Sequence, residues 1–282
     1  MTASVAASAD PLGGVRSHGT ARLRFKLRGA DTVLGDLYQH GCAKLRFPDR
    51  DGRGREAVLI NTAGGLTGGD RFDCSVSWDE GTAATVTTQA AERIYRSGYG
   101  PASITTDLAV GPGALATWLP QETILFDGGR VERITTADVA EGGALIACES
   151  LVVGRRAMGE TVRSGSVRDA WRVRQGGRLV FADTFRLEGD IAATLARPSI
   201  ADGAEAFATV LMAGGETAAG LAELRALAVT LPAAMSATVR GPVLVTRIMA
   251  ASGAEMRAAL IAVLARLRSV DGSVGLPRVW NC

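Results

Sequence analysis

Six carboxylates, Asp70, Glu92, Glu122, Glu149, Asp183 and Glu188, are the residues best suited to acid–base or metal chemistry in this chain. Two of them facing each other across a groove would make a general acid and base, as in β-helical or sandwich hydrolases and lyases acting on carbohydrates. Sequence distance does not select such a pair. The 31 Lys and Arg residues can also match the 29 Asp and Glu as solvated ion pairs. His40-Gly41-Cys42 places an imidazole and a thiol two positions apart, on one face of a strand, which is half of a soft-metal site. With His18 as the only other histidine, a strand-end His beside a buried thiol is the simpler reading.

Motifs for other chemistries are missing. The chain has no GxxxxGK[ST] loop for a nucleotide, no HExxH and no GxSxG elbow, and two histidines exclude a three-His catalytic metal site. The loop Asn61-Thr62-Ala63-Gly64-Gly65-Leu66-Thr67-Gly68-Gly69-Asp70 follows the apolar run Ala57 to Ile60. Its paired glycines allow backbone amides to approach an anion closely. It contains no Lys or Arg, and an alternating run follows it instead of a helix, so it reads as a structural turn.

The elements that must position these groups are mostly strands. Ala21, Leu23, Phe25 and Leu27 alternate with Arg22, Arg24, Lys26 and Arg28, the period of a half-buried strand. The same period recurs at Phe72, Cys74, Val76 and Trp78, at Ile104, Thr106, Leu108 and Val110, and at Val167, Asp169, Trp171 and Val173. Glycine pairs interrupt these runs at Gly128-Gly129, Gly142-Gly143 and Gly176-Gly177, which predicts stacked or wrapped antiparallel sheets. Two helices are expected near the C-terminus. One spans Thr217 to Val229, weakened by Gly220. The other opens at the capping box Ser252-Gly253-Ala254-Glu255 and carries a Met256, Leu260, Leu264, Leu267 stripe. Between them Ala237 to Val239 and Val243 to Met249 read as strands about a Gly241-Pro242 turn.

A hydrophobic content of 47% is enough to bury a sizeable core, and aromatics at 5% leave it to aliphatic side chains. Net charge of +2 gives no electrostatic reason to expect nucleic acid as a partner. The four cysteines are widely spaced without a CxxC pair, as for free thiols in a reducing compartment. No run approaches the roughly 18 apolar residues of a membrane span. The expectation is a cytoplasmic protein with a disordered tail over 1–19 and a single β-rich domain over 20–282.

Several segments, taken in order, resemble the UreD (UreH) family of urease accessory proteins. Gly64-Gly65-Leu66-Thr67-Gly68-Gly69-Asp70 is similar to its Gly-Gly-x-x-Gly-Gly-Asp signature. Thr87-Thr88-Gln89-Ala90-Ala91 with Tyr95-Arg96 resembles a second block, and Leu119-Pro120-Gln121-Glu122 a third. Glu149 to Arg155, Arg168 to Arg172 and Asp183 to Gly189 match more loosely, and Leu276-Pro277-Arg278-Val279-Trp280 resembles the family's ending. The resemblance implies a β-helix-like stack of mixed sheets with two helices. It also implies a non-catalytic scaffold that binds urease apoprotein and UreF, which recruits the GTPase UreG, and that passes transient Ni2+ through an internal route. Such a route needs weak oxygen ligands. Asp70 and Glu188 are the expected passage residues, with Arg96 as their charge partner, while His40 and Cys42 belong to no family motif.

Overall fold

The computed structural model describes residues 16–48, 55–155, 158–272 and 275–281. Of the expected tail, residues 1–15 lie outside the described residues, and His18 already opens the first strand.

Seven strands form one sheet: β1 (His18–Arg28), β2 (Asp31–Gly41), β5 (Arg71–Trp78), β8 (Ala102–Val110), β11 (Arg130–Val139), β13 (Ser164–Gln175) and β14 (Arg178–Asp190). Their spatial order is β14-β13-β11-β8-β5-β1-β2. The second sheet runs β16-β17-β15-β12-β9-β6-β4-β3. Its strands are β3 (Ala43–Arg46), β4 (Arg55–Asn61), β6 (Ala83–Thr88), β9 (Leu115–Leu119), β12 (Ala144–Val153), β15 (Ala206–Ala213), β16 (Ala234–Arg240) and β17 (Val243–Ala250). Two short strands, β7 (Glu92–Ile94) and β10 (Thr123–Leu125), pair with each other, and β10 also pairs with β12.

From β5 to β13 the chain passes back and forth between the sheets, adding one strand to each per coil. The central pairs are therefore parallel: β1 with β5, β5 with β8, β8 with β11 and β11 with β13 in one sheet, β4 with β6, β6 with β9 and β9 with β12 in the other. Antiparallel pairing is confined to the flanks, as in β1 with β2 and β13 with β14. This is the expected β-helix-like stack of mixed sheets, with more parallel pairing than glycine-punctuated alternation suggests. Alternation fixes which face a side chain takes and says nothing of the neighbouring strand's direction.

Each strand's alternate residues fill the space between the sheets. Phe25, Trp78, Trp118, Leu145, Trp171 and Leu211 are among those buried there. A second core lies between the outer face of the second sheet and the helices α2 (Thr217–Ala228) and α3 (Gly253–Val270). Ser252 caps α3 by accepting from the Glu255 amide at 3.2 Å, and the stripe Met256, Leu260, Leu264, Leu267 is buried. Gly220 costs α2 propensity for a packing reason: a Cβ there would stand 2.9 Å from Leu244 and 3.1 Å from Leu267. A five-residue helix α1 (Ile191–Leu195), capped by Asp190, follows β14 and was not foreseen. No described helix is long and apolar enough to cross a membrane.

Candidate functional site

The sequence motifs converge on the mouth of one cavity. Leu66 of the glycine-rich loop bonds across β7, with its amide on the Arg93 carbonyl at 2.7 Å and its carbonyl accepting from the Tyr95 amide at 2.8 Å. Two glycines permit this approach. A Cβ on Gly65 would sit 2.4 Å from the Tyr95 ring, and one on Gly68 1.9 Å from the Ser97 hydroxyl oxygen. Asn61, from the start of the loop, donates its side-chain amide to both Glu92 carboxylate oxygens at 3.1 Å. The third motif joins at the Glu92 amide, which donates to the Glu122 carbonyl at 2.9 Å. Arg257 of α3 then binds Gln121 and Glu122 at 2.6 and 2.9 Å and the Trp280 carbonyl at 3.0 Å, so the C-terminal segment is tied in as well.

The cavity behind this mouth holds about 150 Å³ and lies between the sheets, with Glu92, Thr106, Gln121, Thr123, Arg133 and Glu149 among its lining. At its inner end Arg133 bridges two buried acids. One guanidinium nitrogen reaches Glu149 at 2.7 Å and the Thr123 hydroxyl at 2.8 Å, and the other reaches Asp169 at 2.6 Å. Arg133, Glu149 and Asp169 are 7%, 4% and 8% exposed. Beyond them lies a second cavity of about 20 Å³, room for a single water, which shares Arg133 and Glu149 with the first and adds Asp169 and Thr209. Glu149, Thr209 and Arg247 are successive neighbours across β12, β15 and β17. Arg247 pairs with Asp183 of β14 at a partly exposed rim. A polar track thus crosses the apolar sandwich from the motif-lined mouth to the Arg247–Asp183 pair that joins β17 to β14.

Burial sets the electrostatics of this track. It pushes the Glu92 carboxyl up to about 7 against the pull of the Asn61 side chain, and Asp70 nearby adds to the rise. Burial also raises the Glu149 carboxyl, with Arg133 opposing. For Arg133 burial works against the charge, yet Asp169 and Glu149 outweigh it and keep the guanidinium protonated. A carboxylate pair serving hydrolysis would face an open groove with water between its members. Here a guanidinium fills that space.

The residues singled out from sequence fall in different places. Asp70 is buried beside the mouth, with one oxygen accepting from the Ser17 amide and the other from the Thr67 amide, both at 2.8 Å. It closes the loop and pins the start of the first strand. Glu188 lies on β14, with β8, β11 and β13 between it and β5, and its exposed carboxylate pairs with Arg186. Arg96 pairs with Asp127 at 2.6 Å on the surface, and its carbonyl accepts from the Thr67 hydroxyl of the Asp70 loop at 2.9 Å, so its charge is spent on neither Asp70 nor Glu188. His40 is exposed and Cys42 half-buried, and Gly41 between them, at φ +60°, turns the chain out of the strand. Among the described residues no three His, Cys, Asp or Glu side chains cluster. The Cys74 thiol lines the larger cavity, and burial pushes it up to about 12.

Arg133 escaped the reading of the sequence, although a signal was present. It occupies the inward register of Val131, Thr135, Ala137 and Val139, where a charged residue needs a buried counter-charge.

The chain matches the family described as "UreD urease accessory protein" over residues 17–281. It is 45% identical over 278 residues to the urease accessory protein UreD of Rhodopseudomonas palustris (strain HaA2), covering 98% of this chain and 97% of the relative. The corresponding protein of Rhizobium leguminosarum bv. viciae is also 45% identical over 278 residues, covering 99% of each. That of Chelativorans sp. (strain BNC1) is 44% identical over 284 residues, covering 100% of this chain and 99% of the relative.

Proposed function

The chain belongs to the UreD family of urease accessory proteins, and on that premise we propose that it conducts Ni2+ to apo-urease as a non-catalytic maturation scaffold. It acts in the cytoplasm, bound to urease and to UreF, through which the GTPase UreG joins. The observation that carries this reading is the polar track of Glu92, Glu149 and Asp169 across an otherwise apolar sandwich. Buried carboxylates without hydrolytic geometry are costly to keep and need a use.

Oxygen donors suit a cargo in transit, because carboxylate, hydroxyl and water ligands hold Ni2+ less tightly than thiolate or imidazole and so release it. Glu92, whose carboxyl titrates near 7, trades a proton for a cation at the mouth. Asp70 strengthens the negative potential there while its oxygens hold the loop. Glu188 and Arg96, on the surface, lie off this route.

The test is urease activity together with bound nickel, in cells carrying the cognate urease genes with and without this chain, at limiting nickel. Abundant but nickel-poor urease in its absence is the expected result. Fully metallated urease without the chain would overturn the reading.

A further inference from the structure

The route has a stopper. Arg133 and Glu149 line both of its cavities, so the Arg133 guanidinium stands where the two adjoin. Three oxygens converge on that guanidinium from three strands: Thr123 Oγ1 of β10, Glu149 Oε2 of β12 and Asp169 Oδ2 of β13, at 2.8, 2.7 and 2.6 Å. Two atoms there are left over. The second Asp169 oxygen, Oδ1, is buried with no hydrogen-bond partner in a residue that lines the smaller cavity, and the Arg133 Nε–H is buried with no acceptor. The arginine therefore holds this place without being fully satisfied, and its partners retain a free ligand oxygen.

Resting on the nickel-conducting reading above, we propose that a divalent cation takes the place of the Arg133 guanidinium between Glu149 and Asp169. Arg133 is thus a displaceable counter-ion that closes the route when it is empty. Charge permits the exchange, since the two carboxylates balance one divalent ion and the displaced guanidinium enters the cavity that Glu92 also lines. Ligand chemistry fits as well. Glu149 Oε2, both Asp169 oxygens and the Thr123 hydroxyl form a hard, oxygen-only set that water in the smaller cavity completes. The displaced side chain retracts into the larger cavity, which it already lines. The ion leaves when the guanidinium returns, so that loading and release are coupled to one side chain. No bond is made or broken in this exchange beyond coordination and hydrogen bonding.

The experiment is Ni2+ titration of the purified full-length chain, read by equilibrium dialysis and by the shift in Tm. Arg133→Met should fill one Ni2+ site per chain at lower free Ni2+ than wild type needs, and Ni2+ should raise its Tm further, because a ligand that binds only the folded state stabilises it. Adding Asp169→Asn should abolish both gains. Should Arg133→Met fail to fold, Arg133→Lys takes its place. Its ammonium cannot span both acids as the planar fork does, so a smaller gain with the same dependence on Asp169 is expected. No gain in either variant, or a gain that survives Asp169→Asn, overturns the proposal. Neither readout involves urease, so loss of this site and loss of the maturation role are seen separately.

Discussion

Arg133→Met lowers the unfolding free energy by about 3–5 kcal/mol at pH 8 in the absence of metal, and by less at pH 6. The size follows from what remains when the guanidinium goes. Glu149 and Asp169 are 4% and 8% exposed, and the single water that the adjoining cavity can hold carries no charge to balance them. Removing one member of a buried ion pair costs more than the pair contributes, because the survivor keeps its desolvation penalty. The pH dependence follows from burial, which already pushes Glu149 up. Without the opposing pull of Arg133 its carboxyl rises further, and at pH 6 it escapes the penalty by taking a proton. Urea denaturation at the two pH values checks this. A suitable control is Arg186→Met, which removes the partner of Glu188 in a pair whose side chains are 69% and 59% exposed, and which should change stability by no more than ~0.5 kcal/mol. A loss below about 1 kcal/mol for Arg133→Met would mean that the guanidinium does not balance these acids.

The second large effect belongs to Glu92. Its carboxyl is raised from 4.5 to about 7 in the folded chain, so the folded state holds the proton more tightly than the unfolded one. The stability this supplies is fully present below about 4.5 and is lost as pH rises through about 7. Wild-type stability therefore falls between pH 5 and 8, with Glu92 contributing up to about 3 kcal/mol and Glu149 adding in the same direction. Glu92→Gln cannot ionise, yet it keeps an oxygen to accept from Asn61. Its stability should fall less over that range, and above pH 7 it should exceed wild type. Denaturation curves at half-unit steps decide the matter: parallel pH profiles for variant and wild type would show that Glu92 titrates normally.

Much of the fold was legible because the side-chain period is written directly in the sequence. The β1, β5, β8 and β13 runs, the Ala/Leu-rich α2 and the α3 stripe all lie where alternation, composition or helical spacing put them. The parallel coil was less legible, since a strand's alternation is the same whichever way its neighbour runs. For the site, Glu92 and Glu149 stood among the acids noted from sequence, and Asp169 sat in the inward register of Val167 and Trp171. What joins Glu149 to Asp169 is the parallel pairing of β11 with β13, which brings Arg133 level with Asp169. That juxtaposition comes from topology, and no local pattern encodes it. Glu188 shows how much turns on one position, because Leu187 takes the buried side of β14 and leaves its neighbour outside. Asp70 closes the strongest motif and accepts from two backbone amides there, contacts that residue type alone does not foretell.

The most direct measurement is the nickel content of urease matured at limiting nickel with the Glu92→Gln, Glu149→Gln double variant in place of the wild-type chain. Both substitutions keep shape and remove charge, and the variant's level and its binding to urease are measured alongside. If the buried carboxylates conduct the ion, urease accumulates with its subunits assembled and little nickel bound, although the accessory complex still forms. Wild-type nickel occupancy with both carboxylates gone would contradict a route through the sandwich.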